Sequence, residues 1–129
     1  MTPLSRPFDA LIFDLDGTLI DSAPDVGASV NQMLAENKRR ELTLEETKDM
    51  IGWGGWVLVE RALEMTGEAG TPDDIDRALQ GFLDSYAAHP VEHTTIFPGV
   101  LEALKRFEAD GVAMGLCTNK PTKTTLPVL

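Results

Sequence analysis

One cysteine, two histidines and a shortage of basic residues set the first limits on this 129-residue chain. The single cysteine, Cys117, excludes an internal disulfide and agrees with a reducing compartment. His89 and His93 do not have the spacing of metal ligands. Against 21 Asp and Glu stand only 11 Lys and Arg, a formal charge of −10. Such a chain repels polyanions, so no nucleic-acid partner is expected. An anionic substrate would need a metal or local basic groups to bind. No apolar run approaches the length that spans a bilayer, and residues 1–9 carry no apolar signal core. No membrane partner is expected, and the cytoplasm is the expected compartment. Internal repeats and low-complexity segments are absent as well.

What is present suffices for one sizeable core: 43% hydrophobic and 25% charged residues are ordinary for a globular protein. Residues 8–13 (Phe-Asp-Ala-Leu-Ile-Phe) and 112–117 (Val-Ala-Met-Gly-Leu-Cys) are short apolar runs that read as buried strands of a parallel sheet. Between them lies a helical block. Val26, Val30, Met33 and Leu34 recur at helical spacing from Ser22 to about Asn37, with Pro24 in the first turn. Thr43 and Glu46 form a capping box for a second helix to about Met50. A third helix runs from Trp56 to Thr66, closed by Gly67. A fourth opens at Thr71-Pro72-Asp73-Asp74, presents Ile75, Leu79, Phe82, Leu83 and Tyr86, and stops at His89-Pro90. One more helix opens at Pro98-Gly99 and closes at Asp110-Gly111. After Lys120-Pro121 the chain reads as another helix beginning. The expected architecture is α/β: a partial doubly wound parallel-sheet core with an inserted four-helix cap. The expected division is 1–19 core, 20–92 helical cap, and 93–129 core.

The motif that carries chemistry is Asp14-Leu15-Asp16-Gly17-Thr18, set directly after the first apolar run. Two carboxylates two positions apart at a strand end suit an enzyme with one nucleophile and one acid/base. Asp and Gly are also common turn formers, and an acidic turn is the alternative reading.

Several ordered motifs resemble the haloacid dehalogenase superfamily of phosphohydrolases, and within it the phosphoglycolate phosphatase type. They are Asp14–Thr18; Asp21-Ser22-Ala23-Pro24-Asp25; Ile51-Gly52-Trp53-Gly54 with Leu58–Leu63; His89 with Phe97-Pro98-Gly99-Val100; and Cys117-Thr118-Asn119-Lys120-Pro121. The resemblance implies magnesium-dependent hydrolysis of a small phosphorylated metabolite, 2-phosphoglycolate first. Asp14 would be the nucleophile that forms an aspartyl-phosphate, and Asp16 the acid and base. An aspartate at position 16 argues for phosphoryl transfer, because the dehalogenases of the superfamily lack it. Mg²⁺ would be held by the Asp14 carboxylate and the Asp16 backbone carbonyl, with one later acid. Gly17 would turn the backbone so that amides face the phosphate, with Gly17 and Thr18 counted in the phosphate site. Thr118 and Asn119 would bind phosphoryl oxygens, or cap the helix begun by Pro121.

Gly52, Trp53 and Gly54 read either as a cap loop that closes over substrate or as a helix-breaking turn with its tryptophan in the cap core. Lys120 reads as a solvated or peripheral cation. Arg61 could meet an anion or pair with Glu64. Asp21 and Asp25 suit a helix N-terminus, and Cys117 a small buried hydrophobe.

By the same resemblance, a lysine and an acidic Gly-Asp loop are expected beyond residue 129, and the 129-residue chain alone is expected to be weakly active or inactive. Two strands with uncovered edges also predict self-association. Two alternatives stand beside this reading: a related phosphosugar phosphatase or mutase, and a non-catalytic homologue serving as an interaction module.

Overall fold

The computed structural model describes residues 8–120, 125, 126 and 129. The elements run β1 (Ala10–Phe13), β2 (Ile20–Asp21), α1 (Ala23–Glu36), α2 (Leu44–Lys48), α3 (Gly55–Thr66), α4 (Pro72–Ala88), β3 (Thr95–Ile96), α5 (Val100–Ala109) and β4 (Ala113–Leu116). The helix expected after Lys120-Pro121 lies outside the described residues for most of its length.

Local chemistry accounts for the helix limits. Pro24 lies in the first turn of α1, where its missing N–H costs nothing. Thr43 and Thr71 cap α2 and α4 through reciprocal capping boxes with Glu46 and Asp74. Half-buried Glu46 is lowered from its ordinary pKa by the Arg40 hydrogen bond first and the Thr43 amide next. Gly54 (φ 91°) precedes α3 in a conformation that side chains resist.

The apolar faces of the helical block meet in one core. Val26, Val30, Met33 and Leu34 of α1 pack with Leu58, Val59, Ala62 and Leu63 of α3 and with Ile75, Ala78, Phe82 and Tyr86 of α4. Leu42 and Met50, on either side of α2, complete it. Each fully buried side chain of the Leu34 or Val59 kind stabilises the fold by about 1.5–3 kcal/mol.

β1 and β4 pair in parallel, with Ala10 opposite Ala113 and Phe13 opposite Leu116. This is the α/β core with a parallel pair whose crossover contains the helical block. The strands are not buried as expected. Ile12 is 75% exposed, and every residue of β4 is exposed. Among the described residues, α5 supplies the helical cover of this pair, with the rings of Phe13 and Phe107 at 6.3 Å. Cys117, directly after β4, is exposed rather than buried for the same reason.

A second, antiparallel pair was not legible in the sequence. Ile20 pairs with Ile96 and Asp21 with Thr95, so β2 and β3 lie side by side where the chain enters and leaves the helical block. Two residues per strand are too few for any periodicity to show.

Candidate active site

The loop after β1 is a compact turn. Leu15 is 2% exposed, and its carbonyl accepts hydrogen bonds from the amides of Thr18 (3.2 Å), Leu19 (3.0 Å) and Ile20 (3.2 Å). Gly17, at φ 79°, donates its amide to the Ile20 carbonyl at 2.9 Å. The amides of Gly17 and Thr18 are therefore engaged within the turn. Leu15 donates its amide to Oδ1 of Asp14 at 2.9 Å. The amide and carbonyl of Asp16 carry no hydrogen bond among the described residues.

Burying Leu15 turns its neighbours Asp14 and Asp16 outward, and both line the same cleft. Its other walls come from far along the chain: Thr118, Asn119 and Lys120 after β4, Gly52 and Gly54 before α3, and Leu58, Phe82, Leu83 and Tyr86 from the helical block. The cavity is small, about 60 Å³. A larger cavity of about 460 Å³ reaches the same two aspartates from the side of Gly17, Thr18, Ser22, Lys48, Gly52 and Phe97.

Asp16 is tethered through one oxygen. Its Oδ1 accepts from Ser22 Oγ at 2.6 Å and from Lys120 Nζ at 3.0 Å. Ser22 stands at the N-cap of α1 but makes no cap hydrogen bond through its side chain. The residue type that usually caps a helix here faces the acid instead. Lys120 corrects the expectation of a solvated cation: its side chain is 3% exposed. Lys120 Nζ also donates to the hydroxyl of Tyr86 and sits 4.5 Å from the centre of that ring. Burial, then the charges of Asp16 and Asp25, push the Tyr86 phenol above its ordinary range.

The remaining candidates divide between the cleft and other places. Thr118 Oγ1 accepts the Lys120 amide at 3.1 Å in a local turn, and its hydroxyl donates no hydrogen bond among the described residues. Asn119 Nδ2 donates to the Gly52 carbonyl at 3.1 Å, and a Cβ on Gly54 would lie 3.9 Å from Asn119 Cβ. The glycine loop and the Thr118–Lys120 loop therefore touch. Trp53 belongs neither to the cleft walls nor to the helical core: it is 64% exposed, and the Arg61 guanidinium lies 5.7 Å over its ring. Arg61 pairs with this ring rather than with Glu64. Asp25 is buried and accepts from the His93 amide and the Thr94 hydroxyl, so it ties α1 to the strand β3 region.

Ser22 and Tyr86 went unrecognised as cleft residues. Ser22 reads as a routine cap in sequence, and Tyr86 as one more apolar position of α4. Only the tertiary contact of each with the Asp16–Lys120 pair marks it out.

The donors near Asp14 and Asp16 suit a hard cation. They are the Asp14 carboxylate and the Asp16 backbone carbonyl, which accepts no hydrogen bond among the described residues. No cluster of three or more His, Cys, Asp or Glu side chains able to hold a metal occurs among the described residues.

The profile of the haloacid dehalogenase-like hydrolases matches residues 11–129, nearly the whole chain. The chain belongs to that family. Within the family, the chain is 45% identical over 121 residues to a phosphoglycolate phosphatase of Cereibacter sphaeroides, covering 92% of this chain and 55% of the relative. It is 42% identical over 121 residues to a phosphoglycolate phosphatase of Pseudomonas fluorescens, covering 92% of this chain and 44% of that one. The fold superposes on the crystal structure of a predicted phosphoglycolate phosphatase from Haemophilus somnus with a TM-score of 0.87 at 30% identity. That match covers 97% of this chain and 57% of the other. This family member thus spans about half the length of the curated relatives it matches.

Proposed function

We propose that the protein is a phosphomonoester hydrolase acting through an aspartyl-phosphate, with 2-phosphoglycolate as the first substrate to test. The observation that carries this reading is the meeting of Asp14 and Asp16 with Thr118, Asn119 and Lys120 in one small cleft. The names of the relatives support the substrate.

In this reading a carboxylate oxygen of Asp14 attacks phosphorus and the bond to the leaving oxygen breaks. Asp16 gives its proton to the departing alkoxide. Asp16 then takes a proton from a water, which attacks the aspartyl-phosphate, frees phosphate and restores Asp14. The Thr118 hydroxyl donates to a phosphoryl oxygen during both steps. Asp14 and the Asp16 carbonyl would hold Mg²⁺, whose charge, when bound, offsets that of the phosphoryl oxygens.

Residues 20–92 act as a cap in this proposal, with 1–19 and 93–129 as the core. The β2–β3 pair sits at both junctions, and Gly52 and Gly54 lie where a closing loop would meet Asn119. The cytoplasm is the proposed location, supported by the reducing-compartment reading of Cys117. No helix among the described residues is long and apolar enough to cross a membrane.

The test is a substrate panel on the gene-encoded protein, with and without Mg²⁺. It includes 2-phosphoglycolate, phosphosugars and a mutase assay. Metal-dependent phosphate release with a preference for 2-phosphoglycolate is expected. Phosphosugar preference would favour the sibling activity, and no turnover of any ester would sink the enzymatic reading.

A further inference from the structure

Lys120 joins the two walls of the cleft. Its ammonium is almost fully buried, and such a charge is tolerated only when paired and hydrogen-bonded. One partner is the Asp16 carboxylate; the other is Tyr86, on α4 of the helical block. A lysine stem is flexible, but here the Tyr86 ring packs against the ammonium and holds it in place.

The two oxygens of Asp16 are treated differently. Oδ1 receives both donors, Ser22 Oγ and Lys120 Nζ. Oδ2 accepts no hydrogen bond among the described residues. A carboxylate otherwise turns freely about its last torsion, which is broad and roughly two-fold. Two donors on one oxygen, one of them cationic, fix that torsion.

We infer that Lys120 is a positioning residue for Asp16: with Ser22 it pins Oδ1 and leaves Oδ2 to carry the proton to and from the reacting oxygen. The inference rests on the acid/base reading of Asp16 proposed above. Tyr86 makes the arrangement depend on the helical block, so Asp16 is held in its working orientation only while α4 lies over the cleft. In the first step the proton on Oδ2 passes to the leaving oxygen as its bond to phosphorus breaks. In the second, Oδ2 takes the proton of the attacking water. Lys120 exchanges no proton in either step.

The leaving group separates positioning from a general role. An alkoxide must be protonated as it departs, whereas p-nitrophenolate leaves without a proton. Lys120→Met, Lys120→Arg and Tyr86→Phe are compared with wild type in the gene-encoded protein. The readout is the first-turnover rate of alcohol release from an alkyl phosphate and of p-nitrophenolate release from its ester. For Lys120→Met, the alkyl rate should fall by about a hundredfold, the cost of a misplaced catalytic group, while the nitrophenolate rate changes by less than about fivefold and KM stays near wild type. Lys120→Arg keeps a cationic donor and should recover at least about tenfold of the loss. Tyr86→Phe should fall between the two.

Equal losses on both esters would overturn the positioning role, and so would a loss confined to KM, which would mark Lys120 as a receptor for the substrate's own anion. If Lys120→Met does not fold, the Arg and Phe variants decide on the same leaving-group comparison. A wild type that turns over neither ester overturns the phosphatase reading and this role with it. Normal turnover in every variant overturns this role alone.

Discussion

Asp25, near the start of α1, grips the backbone of His93 with both carboxylate oxygens, at 3.0 and 2.9 Å. Thr94 Oγ1 adds a third hydrogen bond at 2.6 Å. Asp25 is 3% exposed, so these donors have replaced its water. The contact closes the helical block at the point where the chain leaves it. Asp25→Ala strands the His93 amide and the Thr94 hydroxyl and should cost about 2–3 kcal/mol, read as a lower urea midpoint. An unchanged midpoint would mean that water replaces the carboxylate without penalty.

Tyr86, the only tyrosine, gives the chain an alkaline signature. Its phenol is raised by burial first, then by Asp16 and Asp25, from an ordinary value of 10.0. Below the ordinary value both folded and unfolded chains keep the proton, and this contribution to stability is complete. As pH rises past about 10, the unfolded chain loses its proton first, so stability falls until the folded phenol ionises too. Urea midpoints at about pH 8 and about pH 11 should therefore drop more for wild type than for Tyr86→Phe. Parallel drops would contradict the shift.

Asp14→Asn removes the proposed nucleophile while keeping its shape. Phosphate release by the gene-encoded protein should fall by at least roughly a thousandfold, with the melting temperature near wild type because Asp14 is exposed. Labelled phosphoenzyme, trapped by acid quench, should disappear as well. Label that persists in this variant would place the nucleophile elsewhere.

Gly54 holds φ at 91° beside Asn119. Gly54→Val puts a branched side chain in that conformation, a strain of about 1–3 kcal/mol. The loop should give way rather than the core, since Gly54 packs at the cleft and not inside the helical cluster. KM should rise several-fold while the far-ultraviolet dichroism stays unchanged. Loss of helix content instead would show that the turn is needed for α3 itself.

The exposed apolar residues of β1 and β4 predict self-association. Ile12 on one face of the pair and Met114 and Leu116 on the other are all exposed, and uncovered apolar strands pair or stack with other chains. Light scattering of the 129-residue chain should show mass rising with concentration, and Ile12→Lys should reduce it. A monomer across the concentration range would refute this.

The helical block was legible because its signals are local. Val30, Met33 and Leu34 repeat at helical spacing, and Thr43 with Glu46 and Thr71 with Asp74 mark helix starts within four residues of chain. The Asp14–Thr18 turn was legible for the same reason: a strand, two acids and a glycine in sequence define it. The β2–β3 pair was not, since two residues on each side carry no pattern and meet only across the whole helical block.

The Asp14–Thr18 turn and the family to which the chain belongs were determined by sequence alone, because order and spacing of residues are enough to specify a turn and the motifs that accompany it. Which atoms hold Asp16 was decided only by tertiary structure. Lys120 looks like a surface cation until packing carries α4 and Tyr86 across to it, and Ser22 like a helix cap until the fold sets it against Asp16. Burial then removes the water that would otherwise serve the ammonium, and the carboxylate and the phenol take its place.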